Sequence, residues 1–368
     1  MKKLYFTILS LFIFAATACS NLSGIDPHPD LHSHPGLPPR VIGDKDLSIH
    51  FLELGNKYTG DCVYINYGEI DIIIDAGSRQ DSAEAIRAYI DRYMQDGKLE
   101  YVIATHAHQD HIAGFYTARG IPGVLDAYEI GTIIDFPKTN SGSATYANYS
   151  RTRDAAVERG AVHYTALQCY NEESGAQRIY DLGGGASLEI LYSYFYDHDA
   201  GNENNYSVCV RVLYNGDQYI FTGDLEGEGE EKLVEFYDAN FNGLGHCVLY
   251  KGGHHGSSTS SNDVLLASIT PEYVCICTCA GSSEYSSTIP NQFPTQAFID
   301  RIAPYTDKVY VTTLMINYPA GEYEPLNGNI LFLVSQGNIT VSGSNDDRKL
   351  KDSEWFRMYR AMPAAWSD

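Results

Sequence analysis

From Leu47 onward the chain alternates short apolar runs with turn residues. Ser48 to Leu54 is apolar-rich and extended, and Gly55 to Gly60 reads as a loop. Cys62 to Tyr67, Gly68-Glu69 and Ile70 to Asp75 predict strand, two-residue turn, strand. Ser82 to Asp96 places Ala83, Ile86, Ile90 and Tyr93 at helical spacing, with Ser82 as N-cap, and Leu99 to Thr105 predicts a short buried strand. This opening recurs. Cys62 to Gly77 lies without gaps over Cys209 to Asp224; each copy follows a strand (Ile49 to Leu54, Leu188 to Tyr192) and precedes a helix, the second near Gly229 to Asn240. The repeat predicts one domain of two β-rich halves covered by helices, with a site where the halves meet. Residues 140–185, with Tyr- and Arg-containing helical pieces, connect them.

The ends follow other patterns. Lys2 and Lys3 precede an apolar run of 15 residues, Leu4 to Ala18, then Cys19. A basic n-region, an h-region and small residues before a cleavage point describe a secretory signal, and the run is too short for a good membrane span. Ala16-Thr17-Ala18-Cys19 resembles a bacterial lipobox, with Ala16 where Leu is usual, so residues 1–18 are expected to leave a chain lipidated on Cys19 at the cell envelope, periplasmic or on the cell surface. The alternative is an ordinary signal peptide cut near Ala18. Residues 19–46 are rich in Pro, His and Asp, an extended tether in which His28, His32 and His34 are read as solvated. The main folded domain is expected over 47–344. From Asn345 the tail is charged, and Trp355 to Met362 predicts a short helix docked on the domain.

Composition narrows the class. The 368 residues are 44% hydrophobic and 12% aromatic, too much buriable surface for a disordered chain. Asp and Glu number 47 against 25 Lys and Arg; loss of Lys2 and Lys3 takes the net charge from −22 to near −24. An extended nucleic acid draped over such a surface is disfavoured; Arg151, Arg153 and Arg159 are read as a solvated helix face rather than a basic cleft. Of eight Cys, seven remain after Cys19, an odd number. Cys275, Cys277 and Cys279 alternate along a strand, three on one face, with a soft-metal site as the alternative to simple core packing.

The chemistry concentrates in Thr105-His106-Ala107-His108-Gln109-Asp110-His111, where a buried strand ends and a helix begins. Three imidazoles and a carboxylate within six residues have little structural use, but around a divalent cation each supplies a ligand atom. His-x-His puts two rings on one side of an extended segment; Asp110 and His111 point onward to a second position.

His-x-His-x-Asp-His resembles the signature of the metallo-β-lactamase superfamily, which implies an α+β fold, a four-layer αββα sandwich. Phe51 to Gly55, Ile74 to Gly77, Asn204-Asn205-Tyr-Ser207, Thr222-Gly223-Asp224 and Tyr250 to Ser257 are similar to the hydrolase domain of the competence protein ComEC and its soluble relatives. The resemblance implies one or two divalent ions, Zn2+ first and Mn2+ second. His106 and His108 would hold one ion, Asp110 and His111 the other, and Asp224 would bridge them. His254 best matches the last ligand, with His255 as the alternative ligand or a group acting on substrate. Asp75 is read as structural, hydrogen-bonding the His loop. The superfamily's further His on the first metal has no clear counterpart; His163 and His198 are the candidates in the interval, and Asn205 or water is expected to complete that site. Lys251 either points at the site or ends its strand in solvent, and Ser257 could donate to substrate.

A divalent ion with an open position lowers the pKa of its water toward about 7 and so supplies a hydroxide nucleophile. Asp110, His255 and Lys251 are the candidate proton-handling groups. The resemblance implies a phosphodiesterase or nuclease, and the acidity favours a small phosphodiester. A carbonyl hydrolase of lactamase or thioesterase type and a non-catalytic surface lipoprotein are the competing readings.

Overall fold

A computed structural model describes residues 42–367. The signal segment, Cys19, His28, His32, His34 and most of the tether lie outside the described residues. Sixteen strands form two eight-stranded sheets. In chain order they are β1 (Leu47–Phe51), β2 (Val63–Tyr67), β3 (Ile70–Ile74), β4 (Lys98–Ile103), β5 (Glu129–Asp135), β6 (Val162–Thr165), β7 (Ile179–Gly183), β8 (Ala186–Ile190), β9 (Val210–Tyr214), β10 (Asp217–Phe221), β11 (Leu249–Lys251), β12 (Tyr273–Ala280), β13 (Val309–Asn317), β14 (Glu322–Pro325), β15 (Ile330–Ser335) and β16 (Asn338–Gly343). One sheet runs β16-β15-β1-β2-β3-β4-β5-β6, the other β14-β13-β12-β11-β10-β9-β8-β7.

The internal repeat is real in three dimensions. The β2–β3 hairpin pairs Val63 with Ile74 and Tyr67 with Ile70, and β9–β10 pairs Val210 with Phe221 and Tyr214 with Asp217. In each half an antiparallel pair leads into three parallel pairings, along β3, β4, β5 and β6 in one and β10, β11, β12 and β13 in the other. The halves are nonetheless interlocked. The segment expected only to connect them supplies an edge strand to each sheet, β6 and β7, and β15 returns to pair with β1.

The sheets pack face to face through aromatic pairs contributed one from each, among them Phe51–Phe221, Tyr67–Tyr214, Tyr101–Tyr180 and Tyr219–Phe332. Such rings supply much of the area that holds two layers together. Helices 82–90 and 144–158 cover the first sheet. Helices 227–241, 263–269 and 296–302 put Leu233, Tyr237, Leu266, Phe298 and Ile302 against Ile220, Tyr250 and Ile276 on the outer face of the second. The result is the α+β, four-layer sandwich.

Three local expectations change. Ser82 is the first residue of its helix, not the cap: its Oγ accepts from the amides of Ser78 (2.9 Å) and Arg79 (3.2 Å), ordering the loop before it. That helix ends at Ile90, and Tyr93 follows in a turn with its ring 4.5 Å from the buried His50 ring. Cys275 and Cys277 face the core between the sheets, but a register irregularity between Ile276 and Cys279 breaks the alternation before Cys279. All seven cysteines of the described residues are buried and unpaired. The tail helix forms at Glu354–Tyr359 and buries Trp355 and Phe356. No helix among the described residues is long and apolar enough to cross a membrane.

Candidate metal centre

The ends of β3, β4, β10 and β11 lie at one edge of the sandwich, and each delivers a piece of the site. The chain leaving β4 carries Thr105, His106 and His108, followed by a short helix, Gln109–Ile112, that carries Asp110 and His111. Crowding there is extreme. A Cβ on Gly77 would sit 1.4 Å from the Asp110 carbonyl oxygen, and one on Gly60 2.9 Å from it. Those two glycines let the loops after β1 and β3 close on the His loop. Asp75, as expected, is a brace. Its carboxylate accepts from the Thr105 amide (2.8 Å) and hydroxyl (2.7 Å) and faces His111 Nδ1 at 2.7 Å. This fixes the His111 ring with Nε2 turned to the site, the usual arrangement behind a metal-binding imidazole.

Asp61, His111, Asp224 and His255 form a buried group whose ligand atoms all lie within 4.8 Å of one another. Asp224 Oδ2 is its hub: His111 Nε2 lies 3.1 Å away, His255 Nε2 3.5 Å, His254 Nε2 3.7 Å and His106 Nε2 3.9 Å. His106 Nε2 also faces His108 Nδ1 at 3.0 Å, and Asp110 Oδ2 lies 3.5 Å from His255 Nε2. The structure thus brings the six side chains assigned as ligands on the resemblance close together, and adds His255 beside its neighbour His254. His255, not His254, is fully buried, with Nδ1 bonded to the Cys277 carbonyl (3.0 Å) and Nε2 aimed inward. His254 is partly exposed and bonds Thr259 Oγ1 through Nδ1 (3.0 Å). Both residues hold left-handed backbone, φ 46° and 55°, a strained conformation of the kind that collects at functional sites.

Other expectations are redirected. Asn205 Oδ1 accepts from the Glu226 amide (3.0 Å), a structural bond across the loop, whereas the hydroxyl of its motif partner Ser207 accepts from the Asp224 amide (3.0 Å) and meets His106 Nδ1 (3.4 Å). Ser257 braces its own turn with Thr259 (3.0 Å). His163 bonds Asp135 (2.8 Å), which also takes Arg153, and His198 stacks on Tyr194 at the surface. Neither joins the cluster. Lys251 is buried and ion-paired with Asp61, so it balances charge inside the cluster and does not end in solvent. Asp61 itself went unread: an Asp after Gly60 at the start of a strand looks like a loop residue, and its counterpart in the repeat is Val208.

Burial and mutual charge shift these groups strongly. Burial opposes charge on His111, but Asp224 and Asp75 outweigh it and hold the imidazole well above its usual range. Burial likewise opposes charge on His255, but Asp61 and Asp224 push it up to about 10. His106, deeply buried beside His111, is driven well below the ordinary value. Asp224 sits well below the carboxylate range because His111 and His255 override its burial. Asp224 Oδ1 and His255 Nε2 are nonetheless buried without a hydrogen-bond partner. An orphaned buried acceptor such as Asp224 Oδ1 calls for a bound ion or water. An all-oxygen-and-imidazole donor set fits zinc or manganese.

The second His loop is pinned from behind. Buried Glu230 accepts from the amides of Ser261 (2.6 Å) and Asn262 (2.8 Å) and from the Asn262 side chain (2.8 Å). Burial pushes its pKa up from 4.5 to about 7. A carboxyl raised on folding stabilises fully below its unfolded value, and that contribution is lost as pH rises through the folded one. Between pH 4.5 and 7 it amounts to about 3 kcal/mol. The stability of the wild type is therefore expected to fall more steeply over that window than that of Glu230→Gln in urea unfolding; parallel curves would contradict it.

A two-sheet sandwich with a His/Asp cluster at one strand edge is the metallo-β-lactamase architecture. Residues 55–145 match the family model of the metallo-beta-lactamase superfamily. It is similar to competence protein ComA of Neisseria gonorrhoeae, 34% identical over 113 residues, 31% of this chain and 15% of that protein. It is similar also to ComE operon protein 3 of Bacillus subtilis (28% over 180 residues, 48% of this chain and 19% of that protein). Recombination protein 2 of Haemophilus influenzae is 23% identical over 245 residues, 66% of this chain and 25% of that protein. These relatives support a ComEC-like branch, and the chain spans a quarter or less of their length. Among solved structures, the metallo-beta-lactamase fold protein YhfI of Bacillus subtilis aligns with a TM-score of 0.41 at 10% identity, over 76% of this chain and 99% of that one.

Proposed function

We propose that this chain is an exported, lipid-anchored, metal-dependent hydrolase that cleaves a small phosphodiester. The observation that carries the hydrolase is the cluster of Asp61, His111, Asp224 and His255, buried together with acceptors that no protein donor satisfies. Asp110, His111, Asp224 and His255, with His106 and His108 close by, would hold a divalent ion, which when bound would supply a Lewis acid and an activated water. The chain's own groups do the rest. Asp75 and the Cys277 carbonyl fix the His111 and His255 rings, and Lys251 holds Asp61 ionised. His254, partly open to solvent beside Asp224, is placed to meet the substrate.

The phosphodiester rests on the relatives' names, two of competence or its operon and one of recombination. Smallness rests on the acidic surface: Arg153 is tied to Asp135, and Arg159 to Leu125 and Asp126, so helix 144–158 offers no basic track. Export and the lipid on Cys19 rest on the Lys2 to Cys19 pattern, which makes a membrane the chain's other partner. Incubation with zinc or manganese and bis-p-nitrophenyl phosphate, a lactam or a thioester tests the reading. Phosphodiester turnover abolished by chelation is expected; lactam or thioester cleavage without it would overturn the substrate class.

A further inference from the structure

One wall of the metal centre is built from outside the superfamily-like motifs. After β12 the chain forms a partly exposed loop, residues 281–294, whose side chains return to the cluster. The Tyr285 hydroxyl donates to Asp110 Oδ2 at 2.6 Å, although the residue is about half exposed. Its ring stacks on Phe293 (5.3 Å between centroids, 29°), and Phe293 stacks in turn on His255 (6.2 Å, 30°). Glu284 accepts from the Thr59 amide (3.0 Å) and pairs with Arg79 (2.7 Å), closing the wall against the loop that carries Asp61. Thr295, just past the loop, donates to the Gly256 carbonyl (2.8 Å) directly behind His255.

What holds this loop in place is a buried cation. Arg360, after the tail helix, is 7% exposed and has no carboxylate partner among the described residues. Its guanidinium lies 4.5 Å from the centre of the Trp355 ring and spends its donors on carbonyls: Pro294 (2.9 Å), Gln292 (2.6 Å), Ile289 (3.1 Å) and its neighbour Tyr359 (2.7 Å). Three of the four belong to the loop. Trp355 supports the other end, where a Cβ on Gly281 would lie 2.5 Å from its indole nitrogen. A buried charge without a counter-ion is costly unless hydrogen bonds satisfy it, and here the loop's backbone does so.

We propose that segment 281–294 is the substrate-facing wall of the metal centre, and that Arg360 in the C-terminal tail is the positioning residue that holds Tyr285 and Phe293 against it. The inference rests on the hydrolase reading for its kinetic arm alone. The test uses the full chain and compares wild type, Arg360→Ala and Tyr285→Phe by hydrogen exchange of peptide 281–294, bound metal content, and kcat and KM for bis-p-nitrophenyl phosphate. In R360A exchange in this peptide is expected to quicken at least tenfold and KM to rise about tenfold, with metal content and exchange elsewhere unchanged. Y285F is expected to raise KM without quickening exchange. If R360A does not fold, Arg360→Lys serves in its place, since one ammonium on the same stem cannot reach three loop carbonyls. Unaltered exchange in the Arg360 variant overturns the strap whatever the activity. Quickened exchange with unaltered KM in both variants overturns the wall. A wild type inactive on the ester overturns the functional reading alone, and the exchange result still decides the strap.

Discussion

Replacing Lys251 by Met is expected to destabilise the metal-free protein by about 3–5 kcal/mol, the cost of removing one partner of a buried ion pair. Lys251 and Asp61 are both about fully buried, and the ammonium is the first charge acting on that carboxylate. Burial alone would push the Asp61 carboxyl up; Lys251, followed by His255 and His111, holds it below the ordinary range. Met fills the lysine's volume, so packing is nearly conserved and the loss is electrostatic. A divalent ion in the cluster would take over part of the lost compensation. The gain in unfolding midpoint on adding zinc is therefore expected to be larger for K251M than for wild type, in thermal melts with and without metal. Ordinary ligand stabilisation, about 2.7 kcal/mol at a hundredfold excess over Kd, applies to both proteins; the excess in the variant is the diagnostic quantity. A variant as stable as wild type without metal, or an equal zinc shift in both, would remove Lys251 and Asp61 from the centre's charge balance.

What could be read in the chain before its structure, and what could not, divides by the range over which residues act. The hairpin repeat was legible because both copies keep alternating apolar positions around a two-residue turn, and the same register appears in β2–β3 and β9–β10. His106, His108, Asp110 and His111 were legible because one loop holds them all, and Asp224 because it ends the equivalent hairpin. Asp75 could be assigned to bracing from its place at the first copy's end. The misreadings arise where a side chain answers to something distant. Tyr93 keeps helical spacing yet packs on His50 from a turn. Neighbouring His254 and His255 share a sequence context, and only two consecutive left-handed residues decide which ring turns inward. Asp61, Tyr285 and Arg360 come from separate segments with no periodic pattern, and the folded sandwich alone brings them together. The return of β15 to β1 likewise leaves no local trace.

Substituting Asp224 by Asn is expected to abolish tight metal binding and, with it, turnover, while leaving the fold intact. Its Oδ2 lies within 3.9 Å of ring nitrogens from His106, His111, His254 and His255, more imidazoles than approach any other carboxylate of the cluster. Asn keeps the side chain's shape and the backbone bond from the Asp224 amide to Ser207, but removes the charge and one anionic ligand atom. The proper comparison is Asp75→Asn. Asp75 is as buried and touches His111 just as directly, but on the far ring nitrogen; it can reach the ion only through that ring. Loss of such an outer partner typically weakens metal binding by about 10–100-fold. D224N should exceed that range and D75N should fall within it, as read by metal titration against a chelator of known affinity, with circular dichroism as the control for folding. The ordering is the discriminating result. If D75N loses more affinity than D224N, Asp224 is not the principal metal ligand, and the centre would have to be rebuilt around Asp61 and Asp75.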